Sequence, residues 1–172
     1  MGRGRLLAGL LLVAVLAALA VRAAQAFDVG RHRAAAAALA ADPGTVTRRL
    51  PPVRGVAQRG AGGELRFRPD AEPWLTVIDL RDLQPTGGRE RYLVFLRNWS
   101  GWTLAGAARP DAAGDAQVRS AAEPRSRTIF EVVVTRAVDD ATSVPHGQPV
   151  LHWYDPANAS PRARPFDFAR GS

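Results

Sequence analysis

The sequence contains no cysteine, and this absence excludes several kinds of chemistry. Without cysteine the 172-residue chain forms no disulfide, holds no thiolate-ligated zinc and carries no thiol nucleophile. Lysine is absent too, so all 23 basic residues are arginine and the formal net charge is +7. Because acidic residues are interleaved and no arginine run forms a stripe, we expect no nucleic-acid binding.

Recognisable catalytic and metal-binding patterns are also missing. The three histidines, His32, His146 and His152, lie far apart in the sequence and lack the spacing of metal ligands. No serine stands in a Gly-x-Ser-x-Gly context, and no glycine-rich loop carries the lysine of a phosphate-binding loop. We therefore predict a protein that is not an enzyme and needs neither a metal ion nor a cofactor.

The amino terminus has the pattern of an export or anchoring segment. Arg3 and Arg5 precede an uninterrupted apolar run over residues 6–21. As a helix these 16 residues would span about 24 Å, somewhat less than the bilayer core of about 30 Å. Residues 24–26 read Ala-Gln-Ala, a small-residue site that favours signal-peptide cleavage before Phe27.

Two interpretations of residues 1–26 therefore remain open: a cleaved signal peptide and an uncleaved signal anchor. Under either one, the arginines ahead of the apolar run favour an amino terminus on the inside. We expect the rest of the chain outside the cytoplasm, either secreted or anchored in the plasma membrane by residues 6–21 with its carboxyl terminus outside.

Residues 27–62 are predicted to be a helical stalk and linker, because residues 34–41 are rich in alanine and proline and glycine follow at 43 and 44. At the other end, residues 155–172 are rich in proline and arginine and predict a flexible tail.

Between these segments, residues 63–154 have the composition of a β domain. Short runs of β-branched and aromatic residues are separated by glycine, proline and aspartate, with no long helical period between them. About seven such strands match the scale of an antiparallel β-sandwich. The predicted fold is thus an all-β sandwich preceded by an apolar helix and a short helical stalk. The predicted strands cover residues 64–68, 74–80, 91–97, 102–107, 116–119, 128–136 and 150–154.

Three residues within this domain deserve individual interpretation. Trp99 and Trp102 bracket a glycine and cannot both be deeply buried, so they are candidate contacts for a ligand or partner. The alternative is that one packs in the core and the other covers a sheet edge. Glu131 interrupts an apolar run and is predicted to mark an edge strand or a solvent-facing side.

Several motifs follow one another between residues 63 and 151. They are a first strand after Gly63, a leucine-proline turn at 80–85, the strand Tyr92-Leu93-Val94-Phe95-Leu96, a hairpin with Gly106, Asp111 and Gly114, and Val133-Val134-Thr135 before a proline-glycine-proline loop at 145–149. In this order they resemble the extracytoplasmic carboxyl-terminal domain of anti-sigma-K factors, over a little more than half the chain. Phe95 stands where the family has tryptophan. The alanine-rich residues 34–44 lie where that family has its membrane-proximal stalk.

The resemblance implies an extracytoplasmic β-sandwich but not anti-sigma activity. Anti-sigma-K factors carry a cytoplasmic helical domain that sequesters a sigma factor ahead of the membrane helix, whereas five residues precede the apolar run here. We expect a sensory or interaction domain without sigma-binding capacity of its own, which binds a protein partner or an envelope ligand. The alternative, motivated by Trp99 and Trp102, is a secreted carbohydrate-binding module.

Overall fold

The computed structural model describes residues 34, 36–55, 58, 60–69, 75–120, 128–138 and 142–168. The chain divides into two compact units, Met1–Asp42 and Pro43–Ser172. In the first unit, residues 34 and 36–41 are helical, as the alanine-rich composition predicts. The apolar run at 6–21 lies outside the described residues. Among those described, no helix combines the length and apolar character needed to cross a bilayer.

The second unit consists of eight β-strands. Their sequences are dominated by β-branched, aromatic and leucine residues, whose side chains pack well on a pleated surface. All seven strands expected from the sequence are present with shifted ends, and one further strand precedes them. The strands are β1 (Val46–Leu50), β2 (Gly62–Phe67), β3 (Thr76–Arg81), β4 (Arg91–Asn98), β5 (Gly101–Ala108), β6 (Ala116–Ser120), β7 (Glu131–Ala137) and β8 (Gln148–Tyr154).

These strands form two antiparallel sheets of four strands each. The first sheet has the order β1-β2-β3-β6 and the second has the order β5-β4-β7-β8. The chain crosses between the sheets three times, after β3, β5 and β6. The fold is accordingly all-β and sandwich-like, in agreement with the sequence prediction.

One apolar core lies between the two sheets. Alternate residues of each strand face it, because successive side chains on a strand point to opposite faces. Gly63 sits where a Cβ would come within 3.1 Å of the Leu151 and Leu80 side chains, so the sheets approach closely there. The core draws on both sheets; its members include Leu65, Ile78, Leu80, Tyr92, Leu96, Val132, Val134 and Leu151.

The position of β1 differs from the linker predicted for residues 27–62. Arg48 and Arg49 and the following prolines weaken the apolar alternation of this stretch. Even so, Leu50 is buried in the core and Arg48 lies 5.9 Å from the centre of the Trp153 ring. Beyond β1, Val53 N–H donates to the Val150 carbonyl oxygen at 2.9 Å. This segment therefore closes the sandwich along β8.

The outer faces of the two sheets differ in chemistry. On the first sheet, Arg66 makes ion pairs with Glu64 and Asp79, as expected of a face in water. On the second sheet the outward-facing Leu93, Phe95 and Val133 are apolar and fully buried. This apolar outer face also carries the residues that the sequence marked as candidates.

Candidate functional site

Trp99 lies on the tight turn between β4 and β5 and is 64% exposed, the most exposed large apolar side chain of the described residues. The turn is held by Asn98, whose Oδ1 accepts a hydrogen bond from Ser100 N–H at 2.8 Å. The indole N–H of Trp99 donates to the Asn158 carbonyl oxygen at 2.9 Å. The ring is therefore both exposed to solvent and held in place.

Trp102 has a different environment, although it is only three residues away. It lies on β5, half-buried on the outer face of the second sheet, with the Phe166 ring edge-on at 5.6 Å. Trp102 also contacts Arg97, whose guanidinium lies 5.3 Å from the centre of the Trp102 ring. The structure thus leaves Trp99 available for contact and places Trp102 beneath other side chains.

The position of Glu131 differs from the one predicted from the sequence. It lies on β7, which is a central strand between β4 and β8, and its side chain is fully buried. The expectation of an edge or solvent-facing position was wrong because residues outside the sheet cover this face. The charge pattern of the sequence alone does not reveal such a cover.

Four groups form what we call the Glu131 cluster: the side chains of Arg97, Glu131 and His152 and the backbone N–H of Phe166. Arg97 Nη1 lies 2.9 Å from Glu131 Oε2, and His152 Nε2 lies 2.8 Å from Oε1. Phe166 N–H donates to Oε1 at 2.6 Å. Because the carboxylate has hydrogen-bonding partners on both oxygens, it can be buried without an uncompensated charge.

The cover of Glu131 is the C-terminal segment, residues 155–168. It was predicted to be part of a flexible tail, but the described part packs on the second sheet. Arg97 donates to the Arg164 carbonyl oxygen at 2.8 Å and Tyr154 donates to that of Ala163 at 3.1 Å. The Phe168 ring lies 5.1 Å from the His152 ring. The segment is held by aromatic residues on the outer face of the second sheet. Its own proline- and arginine-rich composition gave no indication of these contacts.

A small pocket lies beside Trp99, between the β4–β5 turn and the C-terminal segment. Its volume is about 160 Å³, and we call it the Trp99 pocket. Both of its charged lining residues within the described part of the chain are arginines. The lining includes Arg97, Trp99, Gly101, Phe130, Ser160 and Arg162.

A larger groove of about 720 Å³ runs along the start of β2, where the first sheet meets the β1 extension. Its charged lining combines Arg49 and Arg81 with Glu64 and Asp82, so it carries both signs of charge. No aromatic side chain is among its described lining residues. The groove therefore lacks the combination of one charge sign and an aromatic surface found at Trp99.

The two described histidines are not brought together. His146 Nδ1 lies 2.7 Å from Thr142 Oγ1 and its ring packs edge-on against Phe95, whereas His152 belongs to the Glu131 cluster. Within the described ranges, no group of three histidine or acidic residues is placed to hold a metal ion.

Two side chains near the far end of β4 have shifted pKa values. A hydrogen bond from Arg136 to Glu90 lowers the pKa of the Glu90 carboxyl, since it stabilises the charged form. Burial raises the pKa of the Tyr92 hydroxyl, which lies 2.8 Å from the Gln84 carbonyl oxygen and 3.0 Å from Gln58 Oε1. Both are structural contacts at the end of the sandwich opposite to the Trp99 turn on β4.

Comparison with known proteins does not add a relative. Neither protein-family models, nor curated proteins, nor solved structures gave a match to the chain.

Proposed function

We propose that this protein is an extracytoplasmic interaction module, exported or anchored in the plasma membrane through residues 6–21, that binds another component of the cell envelope. The proposal joins the amino-terminal export pattern to a β-sandwich-like unit similar in its motifs to the anti-sigma-K factor carboxyl-terminal domain. In this proposal the module is non-enzymatic, needs no cofactor and has no sigma-binding capacity of its own.

One observation carries the proposal: Trp99 is exposed and yet held in place. Exposing a large aromatic ring to water is unfavourable, and the hydrogen bond to Asn158 restricts the ring to one orientation. An aromatic side chain that is fixed before binding loses little conformational entropy when a partner covers it. Tryptophan is also among the residues that contribute most often to binding hot spots.

The experiment has two parts, both in intact cells that produce the full chain with a carboxyl-terminal tag. Protease added outside the cells should remove the tag, and mass spectrometry of the isolated protein should show whether it begins at Met1 or Phe27. A photo-crosslinking amino acid at position 99 should then give a discrete adduct.

The matched control carries the same crosslinker at Val138, which is 63% exposed and directly follows β7. An adduct formed at position 99 and absent at position 138 supports the proposal. A tag protected from external protease, or equal crosslinking at both positions, contradicts it.

A carbohydrate-binding module is the second candidate, and the pocket beside Trp99 favours it. The sequence suggested Trp99 and Trp102 as a pair of sugar contacts, but of these two only Trp99 presents an exposed ring. A sugar would therefore stack on one ring and require further contacts from the pocket.

A further inference from the structure

The size of the Trp99 pocket limits what it can hold. Pockets for whole drug-sized ligands usually enclose about 300–1,000 Å³, whereas this one has about 160 Å³. Gly101 lines it at an open position, since a Cβ there would meet no atom within 4 Å. The pocket therefore suits one ring of a longer ligand whose remainder lies along the surface.

The uncompensated charge of the pocket is that of Arg162, since Arg97 already pairs with Glu131, and this charge favours a negative group. Arg162 is exposed and makes no hydrogen bond or ion pair within the described part of the chain. Arg97 uses Nη1 for Glu131 and for the Arg164 carbonyl oxygen, and its other guanidinium nitrogens make no hydrogen bond to described residues. A carboxylate suits an arginine guanidinium because its two oxygens can accept two parallel N–H hydrogen bonds, which a single-atom anion cannot do.

The positions of these groups are set before any ligand binds. Arg97 lies near the rings of Trp102 and Phe130, 5.3 and 5.6 Å from their centres, which restricts its guanidinium. The turn that carries Asn158 is held by Asp155, whose Oδ2 accepts from the Asn158 side-chain amide at 2.9 Å. Trp99 depends on this turn for its own hydrogen bond.

From these observations we infer that the Trp99 pocket binds a carboxylate-bearing sugar, such as a uronic acid residue within an acidic glycan. The sugar ring stacks on the exposed face of Trp99, and its carboxylate pairs with Arg162 and Arg97. The inference rests on the proposed function, since it names the class of envelope component that the module recognises. A flat apolar ring beside arginines fits a sugar acid because a pyranose presents both an apolar face and polar edges.

The test is a titration of the full-length chain with trigalacturonate, followed through the indole N–H signal of Trp99 in nitrogen-15 NMR spectra. A polyoxyethylene detergent keeps the chain soluble and avoids the sugar head groups of maltosides, which would compete. The matched ligand is trigalactose of the same linkage, which lacks the carboxylates. We expect trigalacturonate to give saturable shifts below about 10 mM and trigalactose to bind at least about fivefold more weakly.

Three variants separate the contributions. Trp99→Ala should weaken binding of trigalacturonate about tenfold, and its binding is followed by calorimetry because the reporter signal is lost. Arg162→Gln should weaken it about fivefold, as expected for a partly solvated charge pair. Arg89→Gln is the matched control, because it removes an exposed arginine from the loop before β4. This variant has the same net charge as Arg162→Gln and should bind trigalacturonate as the wild type does.

Several results would overturn the inference. These are the absence of saturable trigalacturonate binding, equal binding of trigalactose, and an equal effect of Arg89→Gln and Arg162→Gln. The same titration with oligoglutamate tests an acidic peptide as the ligand, and tight binding of it that Trp99→Ala does not affect would overturn the inference as well. The proposed function fails separately, through a cytoplasmic tag or unselective crosslinking, neither of which the titration measures. If the titration fails but crosslinking at position 99 is selective, the proposal of an interaction module stands and the proposal of a sugar-acid ligand is wrong.

Discussion

Glu131 places a negative charge among apolar side chains on the second sheet, and the surrounding structure must compensate it. The carboxylate receives hydrogen bonds from β4, β8 and the C-terminal segment, so it joins three parts of the chain that are distant in sequence. Breaking a buried ion pair leaves one partner uncompensated, which is more destabilising than losing an exposed pair.

We expect Glu131→Gln to lower the free energy of unfolding by about 2–3 kcal/mol, because the amide cannot accept on both sides. Glu64→Gln is the control, since Glu64 pairs with Arg66 while 35% of its side chain is exposed. This control should lose less than about 1 kcal/mol. Urea unfolding followed by tryptophan fluorescence measures both, and equal losses would contradict the larger contribution expected of the Glu131 cluster.

Tyr92 gives a pH dependence whose sign follows from its raised pKa. Folding favours the protonated hydroxyl, so its contribution to stability is complete below the unfolded pKa of about 10 and is lost as the pH rises toward the folded pKa. Tyr92→Phe cannot titrate at this position. We expect the stability advantage of the wild type over Tyr92→Phe to shrink in urea unfolding as the pH rises above about 10. A constant difference across this range would contradict the assigned cause.

At the scale of elements, the C-terminal segment is held on the second sheet by side-chain contacts and hydrogen bonds rather than by strand pairing. It has no strand of its own, and its attachment depends on Phe166, Phe168 and a few backbone hydrogen bonds. Segments with few buried contacts open at lower free energy than the core does.

We expect Phe166→Ala to increase the rate of trypsin cleavage after Arg162 about tenfold, because the ring contact with Trp102 is lost and the segment opens more often. Cleavage after Arg164 is blocked by Pro165, so mass spectrometry can assign the site. Val144→Ala removes an exposed apolar side chain from the β7–β8 loop and serves as the control. Equal cleavage rates in the two variants would contradict the role given to Phe166.

The strands from β2 to β8 were predictable from the sequence because each combines β-branched or aromatic residues with turn residues at both ends. β1 was not, since Arg48 and Arg49 interrupt its apolar pattern and prolines follow. The glycine turn between Trp99 and Trp102 indicated that the two are not both deeply buried, but it did not indicate which of them is exposed. The Glu131 cluster and the covering of Trp102 depend on pairings between β4, β7 and the C-terminal segment, which no local pattern encodes.

At the scale of the whole β unit, one core serves both sheets, so the sheets should lose stability together. We expect Leu65→Ala, a truncation in β2, to lower the free energy of unfolding by about 2–5 kcal/mol. Hydrogen exchange should show the same loss of protection in β7 of the other sheet as in β2. A loss confined to the first sheet would mean that the two sheets unfold separately. Thr47→Ala on the outer side of β1 is a control, because its side chain is exposed.

The pairing of the β1 extension with β8 has a consequence for the order in which the molecule can be completed. The Val53–Val150 hydrogen bond joins residues near the two ends of the β unit, and β6 joins the first sheet only after β4 and β5 have been made. Such distant pairings delay folding because a long loop must close before they form. A growing chain therefore cannot finish this sandwich until β8 has been synthesised, and shorter intermediates expose apolar faces and unpaired strand edges to chaperones.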